Sequence, residues 1–172
     1  MSSSGNGRLS GRETLRRFVA REDASRARLL QAEQTFEFRQ GLNLVSGRWD
    51  RIDERDGGIV IVDFKTSDVA EDEDATKRTA ESLKSGQLGL YALAYRETRG
   101  ATPAEVELHY VGTGAVGRAH VADEHLASAA ERIASAAAGI RAADFKPRPE
   151  YTACRDCPYN IFCPHSATRS AR

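Results

Sequence analysis

Apolar positions recur at two periods along this chain, and each change of period marks a boundary between helix and strand. Leu15, Phe18, Val19, Leu29 and Leu30 follow a loose helical spacing behind Ser10-Gly11-Arg12-Glu13, a capping-box pattern. A helix is therefore expected from about 11 to 31. Alternation then takes over in Thr35-Phe36-Glu37-Phe38-Arg39, which predicts a strand near 33–39. Two further strands, near 42–53 and 58–65, flank Asp56-Gly57, a strong hairpin signal. An acidic, polar loop is expected over 67–75. Helix resumes near 76–99, with Leu83, Leu90, Leu93 and Ala94 as its apolar stripe and Gly100 as its stop. Val106 to Val111 alternate as a strand, and Gly112-Thr113-Gly114 turns it into a short partner near 115–121. Asp123 caps an alanine-rich helix that runs to about Ala143. Pro147, Pro149 and Pro158 then leave the tail irregular.

This order gives an α/β fold class, an α+β mixed sheet flanked by helices with an irregular Cys-rich C-terminal tail. Residues 1–9 read as a small, polar, flexible segment, 10–146 as the core domain and 147–172 as the tail. With 172 residues, 40% of them hydrophobic, the chain can bury one core without disulfides. No apolar run is long enough for a bilayer and no secretory signal is visible, so no membrane is expected and the cytoplasm is the expected compartment. Cys154, Cys157 and Cys163 form C-x2-C-x5-C, a clustering that favours metal or cluster ligation over a disulfide framework.

Candidate chemistry sits on the two middle strands. Gly47-Arg48-Trp49-Asp50 and Ile61-Val62-Asp63-Phe64-Lys65 bring two carboxylates and a lysine to adjacent strands. Side chains alternate along a strand, so Asp63 and Lys65 share a face. Asp50 and Asp63 can then share a hard divalent cation, Mg2+ or Mn2+, with the Lys65 ammonium beside it. The bland alternative is a solvated ion pair at a strand end, and Asp-x-Lys alone favours it. Gln87 and Tyr91, four apart in a helix, share one face. Glu33 is either a third acidic group at the metal or an ordinary helix-end charge. Trp49 is expected to pack under the site, Phe64 to face the core, and His109 and His120 to be structural.

Taken together, Glu33, the run from Gly47 to Asp53, Ile61 to Thr66, Gln87 with Tyr91 and the three cysteines resemble the RecB-like branch of the PD-(D/E)XK nuclease superfamily. That branch includes the nuclease domains of the AddB and AdnB helicase-nuclease subunits. The resemblance implies a restriction-endonuclease-like core and a metal-dependent DNA exonuclease acting in repair or recombination. It implies a metal held by Asp50, Asp63 and the Phe64 carbonyl, with Lys65 as catalytic lysine and Glu33, Gln87 and Tyr91 at the cleft. It implies DNA, as single strands or duplex ends, and a helicase module as partners, and a [4Fe–4S] cluster on Cys154, Cys157 and Cys163.

Two departures matter. No histidine precedes His109, where such members carry a histidine ligand upstream, and the cluster's fourth cysteine is missing. The chain is therefore expected to be the C-terminal piece of a larger helicase-nuclease, or a shortened relative. The tail is expected to hold the cluster in an intact parent; in this chain, zinc with His165 as fourth ligand or no metal at all takes precedence. A second class of function, a catalytically weakened module that binds DNA ends or a partner, follows from the missing histidine. A hydrolase of small phosphorylated metabolites lacks a phosphate-cradling glycine loop.

Charge constrains the DNA reading. With 25 basic and 25 acidic residues the net charge is zero, which removes most sequence-independent affinity for phosphates. Arg48, Arg51, Lys65, Lys77, Arg78 and Lys84 are expected around the cleft, and tethering to a translocase would supply effective concentration. Weak DNA binding by the isolated domain is the expectation.

Overall fold

Asp56 and Gly57 both take positive φ, 51° and 78°, the conformation that a tight two-residue hairpin with correctly twisted arms requires. This turn joins β2 (Asn43–Arg55) to β3 (Gly58–Lys65), pairing Arg55 with Gly58 and Arg51 with Val62. The computed structural model describes residues 11–25, 27–67 and 69–168. Ser10 of the expected capping box, and the segment 1–9, lie outside the described residues.

Around that hairpin the sheet has five strands in the order β1-β2-β3-β4-β5, with β1 spanning Arg28–Gln40, β4 Glu105–Tyr110 and β5 Val116–His120. All neighbours are antiparallel except β3 and β4, which are parallel. A parallel pair needs a crossover, and α2 (Asp72–Ser85) and α3 (Gln87–Arg99) supply it. These helices cover one face, here the front: α2 lies on β4 and β5, α3 on β1 and β3. The main core sits between them, built on Phe36, Trp49, Ile52, Ile61, Leu88 and Val106. On the back face, α1 (Gly11–Ala24) sets Phe18 edge-on to Phe64, with ring centroids 5.8 Å apart.

Several expectations are corrected. Leu29 and Leu30 belong to β1, not to the first helix, which ends at Ala24. Their loose helical spacing fits an edge strand equally well, and pairing with β2 decides it. The single helix expected over 76–99 is two, broken at Gly86, whose backbone is extended (φ −120°, ψ −151°). The acidic loop is shorter than expected, because Asp72, Glu73 and Asp74 form the first turn of α2, where negative charge suits the helix dipole. Phe64 packs on the back face against Phe18 and His109, outside the main core.

The chain divides into two compact units, Met1–Ser135 and Ala136–Arg172, with α4 (Asp123–Arg141) running across the boundary. The second unit holds α5 (Tyr151–Arg155) and a series of turns. There Asn160 Oδ1 accepts from the hydroxyls of Ser166 and Thr168. Among the described residues no helix is long and apolar enough to cross a membrane.

Candidate active site

Strand alternation sends Ile61, Asp63 and Lys65 to the front face and Val60, Val62 and Phe64 to the back. On β2 the alternation slips. Trp49 and Ile52, three apart, both enter the front core, and opposite the slip Glu33 of β1 has φ of 51°, a local irregularity of the bulge kind. Asp50 sits in this slip, and its Oδ2 accepts the Phe64 N–H at 3.0 Å. Asp50 is thereby tied to the backbone between Asp63 and Lys65. Gly47, opposite Phe36, leaves space that the Phe36 ring occupies; a Cβ there would collide with it. That ring then stacks at 4.6 Å on Trp49, which is 1% exposed and lies beneath the site as expected.

A continuous chain of polar contacts links the front-face residues. Lys65 Nζ lies 2.6 Å from Asp63 Oδ2 and donates to Gln87 Oε1 at 3.0 Å. Gln87 Nε2 donates to the Tyr91 hydroxyl at 2.6 Å. Trp49 Nε1 donates to the Tyr91 carbonyl at 3.2 Å. Asp50, Asp63, Lys65, Gln87 and Tyr91 are therefore brought to one place from β2, β3 and the first turn of α3.

Asp63 is the under-satisfied member. It is 2% exposed, and its Oδ2 makes no hydrogen bond of regular geometry, its one polar contact among the described residues being the 2.6 Å ion pair with Lys65. Burial raises its pKa above the ordinary carboxylate value, and nearby Asp50 adds to the rise while Lys65 opposes it. Burial also raises the Tyr91 pKa, with Asp63 and Asp50 contributing. Two carboxylates that penalise each other's charge, one of them buried with a single ion pair to its inner oxygen, suit a hard divalent cation. Among the described residues no three of His, Cys, Asp and Glu are grouped to hold a metal. A cation held there would complete its shell with backbone carbonyls or water, as is usual for magnesium.

Glu33, opposite Asp50 on β1, makes an exposed ion pair with Arg48 at 3.0 Å. Other predicted residues lie elsewhere. Arg51, expected around the cleft, is on the back face, paired with Asp53 at 2.8 Å and with Glu22; the slip at Asp50 turns it away from the site. Lys77 pairs with Glu73 at 2.9 Å on the surface of α2. In the tail, Cys154, Cys157 and Cys163, with or without His165, are not grouped to hold a metal ion among the described residues. Cys154 lies inside α5 and its Sγ accepts the Ala167 N–H at 3.4 Å.

One polar assembly had no counterpart in the sequence reading. Glu107, fully buried on the back of β4, accepts from Arg55 at 2.6 Å and Arg118 at 2.9 Å and lies 2.6 Å from His109 Nε2. Alternation of Glu107 and His109 with apolar Val106 and Leu108 was the available signal.

The chain matches a family described as the PD-(D/E)XK nuclease superfamily over residues 4–164. No curated protein matches it. Among solved structures, one titled "Crystal structure of SSO0001" is similar in fold, with 18% identity and a TM-score of 0.51 over 88% of this chain and 67% of that one. The mixed five-stranded sheet flanked by helices agrees with a restriction-endonuclease-like fold.

Proposed function

We propose a deoxyribonuclease, and the premise is one of kinship: the chain belongs to the PD-(D/E)XK nuclease superfamily, whose members are usually metal-dependent nucleases. The observation that carries the reading is the buried Asp63 Oδ2 beside Asp50 and Lys65. Asp50, Asp63 and the Phe64 carbonyl would hold Mg2+ or Mn2+. When bound, the cation supplies Lewis-acid chemistry at the phosphodiester. Lys65, steadied by Gln87, places a positive charge where negative charge grows on the phosphate during attack by water. Tyr91 fixes the Gln87 amide, and Trp49 fixes the backbone of Tyr91. Hydrolysis forms one phosphorus–oxygen bond and breaks another, leaving a 5′-phosphate.

The finer reading is an exonuclease of the RecB-like branch, similar to the AddB and AdnB domains, working beside a helicase in DNA repair. It rests on Glu33, the Gly47 to Asp53 run and the Gln87–Tyr91 pair. A second reading, a weakened module that only binds DNA ends or a partner, is favoured by a proposed metal site with two carboxylates and no third acidic or histidine ligand among the described residues. Titrating Mg2+ or Mn2+ into the protein with end-labelled single-stranded and duplex DNA tests the two. Cleavage that depends on the cation and stops with EDTA is expected; retention of DNA without cleavage at any metal concentration would leave the second reading standing.

A further inference from the structure

On the back of the sheet, behind the proposed active site, a cavity of about 450 Å3 lies between α1 and strands β2, β4 and β5. Four guanidinium groups line it, those of Arg21, Arg51, Arg55 and Arg118, against three carboxylates. The carboxylates are committed. Asp53 and Glu22 each take Arg51, and Glu107 takes His109, Arg55 and Arg118. The guanidiniums are not. Each carries five donors in a rigid fork, yet Arg118 uses only Nε and Arg55 only one terminal nitrogen for bonds among the described residues. Arg21 makes no bond to a carboxylate among the described residues. Its terminal nitrogens rest against Gly114, whose φ of 86° favours glycine. His109, 8% exposed on the same wall, keeps Nδ1 without a partner.

A cavity whose acceptors are saturated and whose fixed donors are in surplus is built for an anion. Planar forks match phosphate oxygens in pairs. We infer that this back-face cavity binds a phosphomonoester, distinct from the phosphodiester handled on the front face. The volume exceeds that of inorganic phosphate and leaves room for an organic group such as a nucleoside. Such a ligand would tie α1 to β5 through Arg21 and Arg118. The inference does not depend on the nuclease reading.

The test is calorimetric titration of the full chain, free of divalent cations, with inorganic phosphate in one arm and deoxyadenosine 5′-monophosphate in the other. The variants are Arg21→Gln, Arg118→Gln and Lys65→Ala, each checked by circular dichroism; Arg21 has no ion pair to lose among the described residues, so its variant is expected to fold. Saturable binding is expected for the wild type and, unchanged, for Lys65→Ala. It should weaken by about tenfold in Arg21→Gln and in Arg118→Gln, the loss of one charge-assisted contact. Tighter binding of the nucleotide than of phosphate would place the nucleoside in the cavity; equal binding would leave phosphate as the group recognised. No saturable binding in either arm, or binding that disappears with Lys65→Ala and survives both arginine variants, overturns the inference.

Discussion

Asp63 and Glu107 stand on neighbouring strands of one sheet, are both almost fully buried, and are pushed in opposite directions by what surrounds them. Glu107 faces the back, where burial alone would raise its pKa, but contacts with His109 and Arg55 outweigh it and hold the pKa at about 2 instead of 4.5. Asp63 faces the front, where burial and Asp50 outweigh Lys65 and the pKa rises. The same functional group is thus held by three partners on one side and by a single ion pair on the other. An under-compensated charge in a folded protein is costly and persists where a ligand or a reaction uses it. That contrast, more than the presence of two aspartates and a lysine, separates the front face from an ordinary ion pair.

The largest expected effect breaks the contrast by function. Asp50→Ala or Lys65→Ala should lower DNA cleavage by about 10^3-fold or more, on the scale of removing one transition-state stabiliser plus its supporting contacts. Glu107→Gln should leave cleavage per folded molecule nearly unchanged, as measured with active-site-normalised rates. Comparable losses from both faces would remove the distinction. The next effect is on stability. Glu107→Ala leaves Arg55, Arg118 and His109 around an empty centre and should cost about 3–5 kcal/mol of unfolding free energy in urea titrations. The third is the acid limb. Because the folded pKa of Glu107 lies below its ordinary 4.5, its stabilisation is complete above pH 4.5 and is lost as pH falls toward 2. The amount is about 3 kcal/mol, and Glu107→Gln should remove that part of the acid dependence. The smallest effect has the opposite sign. Asp63 is harder to ionise in the folded state, so its charge costs stability at neutral pH. Asp63→Asn should raise the melting temperature in metal-free buffer, and the gain should shrink as pH falls through the ordinary carboxylate range. A lower melting temperature at pH 7 would contradict the account of the front face.

Much of this was legible in the sequence, for reasons that differ residue by residue. Asp63 and Lys65 sit two apart on a strand, and Gln87 and Tyr91 four apart on a helix; both spacings fix a shared face before any tertiary contact is known. Asp56-Gly57 announced its turn because few other residues accept two positive φ values in succession. Arg51 was misplaced because period-two counting assumes an unbroken strand, and the slip at Asp50 has no sequence signature. The start of β1 was missed because Leu29 and Leu30 suit either element on spacing alone. The back-face network was invisible for another reason. Alternation tells which residues share a face, but not that α1 would bring Arg21 and Glu22 over Arg51 and Arg118. The three cysteines were legible as a motif, yet their spacing carried no information on whether the thiols converge.

The two-residue turn at Asp56-Gly57 works as a gauge for the chemistry at the far end of the strands it joins. It fixes how β2 and β3 are threaded past each other, and so which backbone amide the Asp50 carboxylate meets. Lengthening that loop by one residue would slide one strand by a single step, exchange the directions of Asp63 and Phe64, and bury an aromatic ring where a carboxylate belongs. Any redesign of this exposed hairpin end, however remote it looks, is therefore an edit of the candidate site.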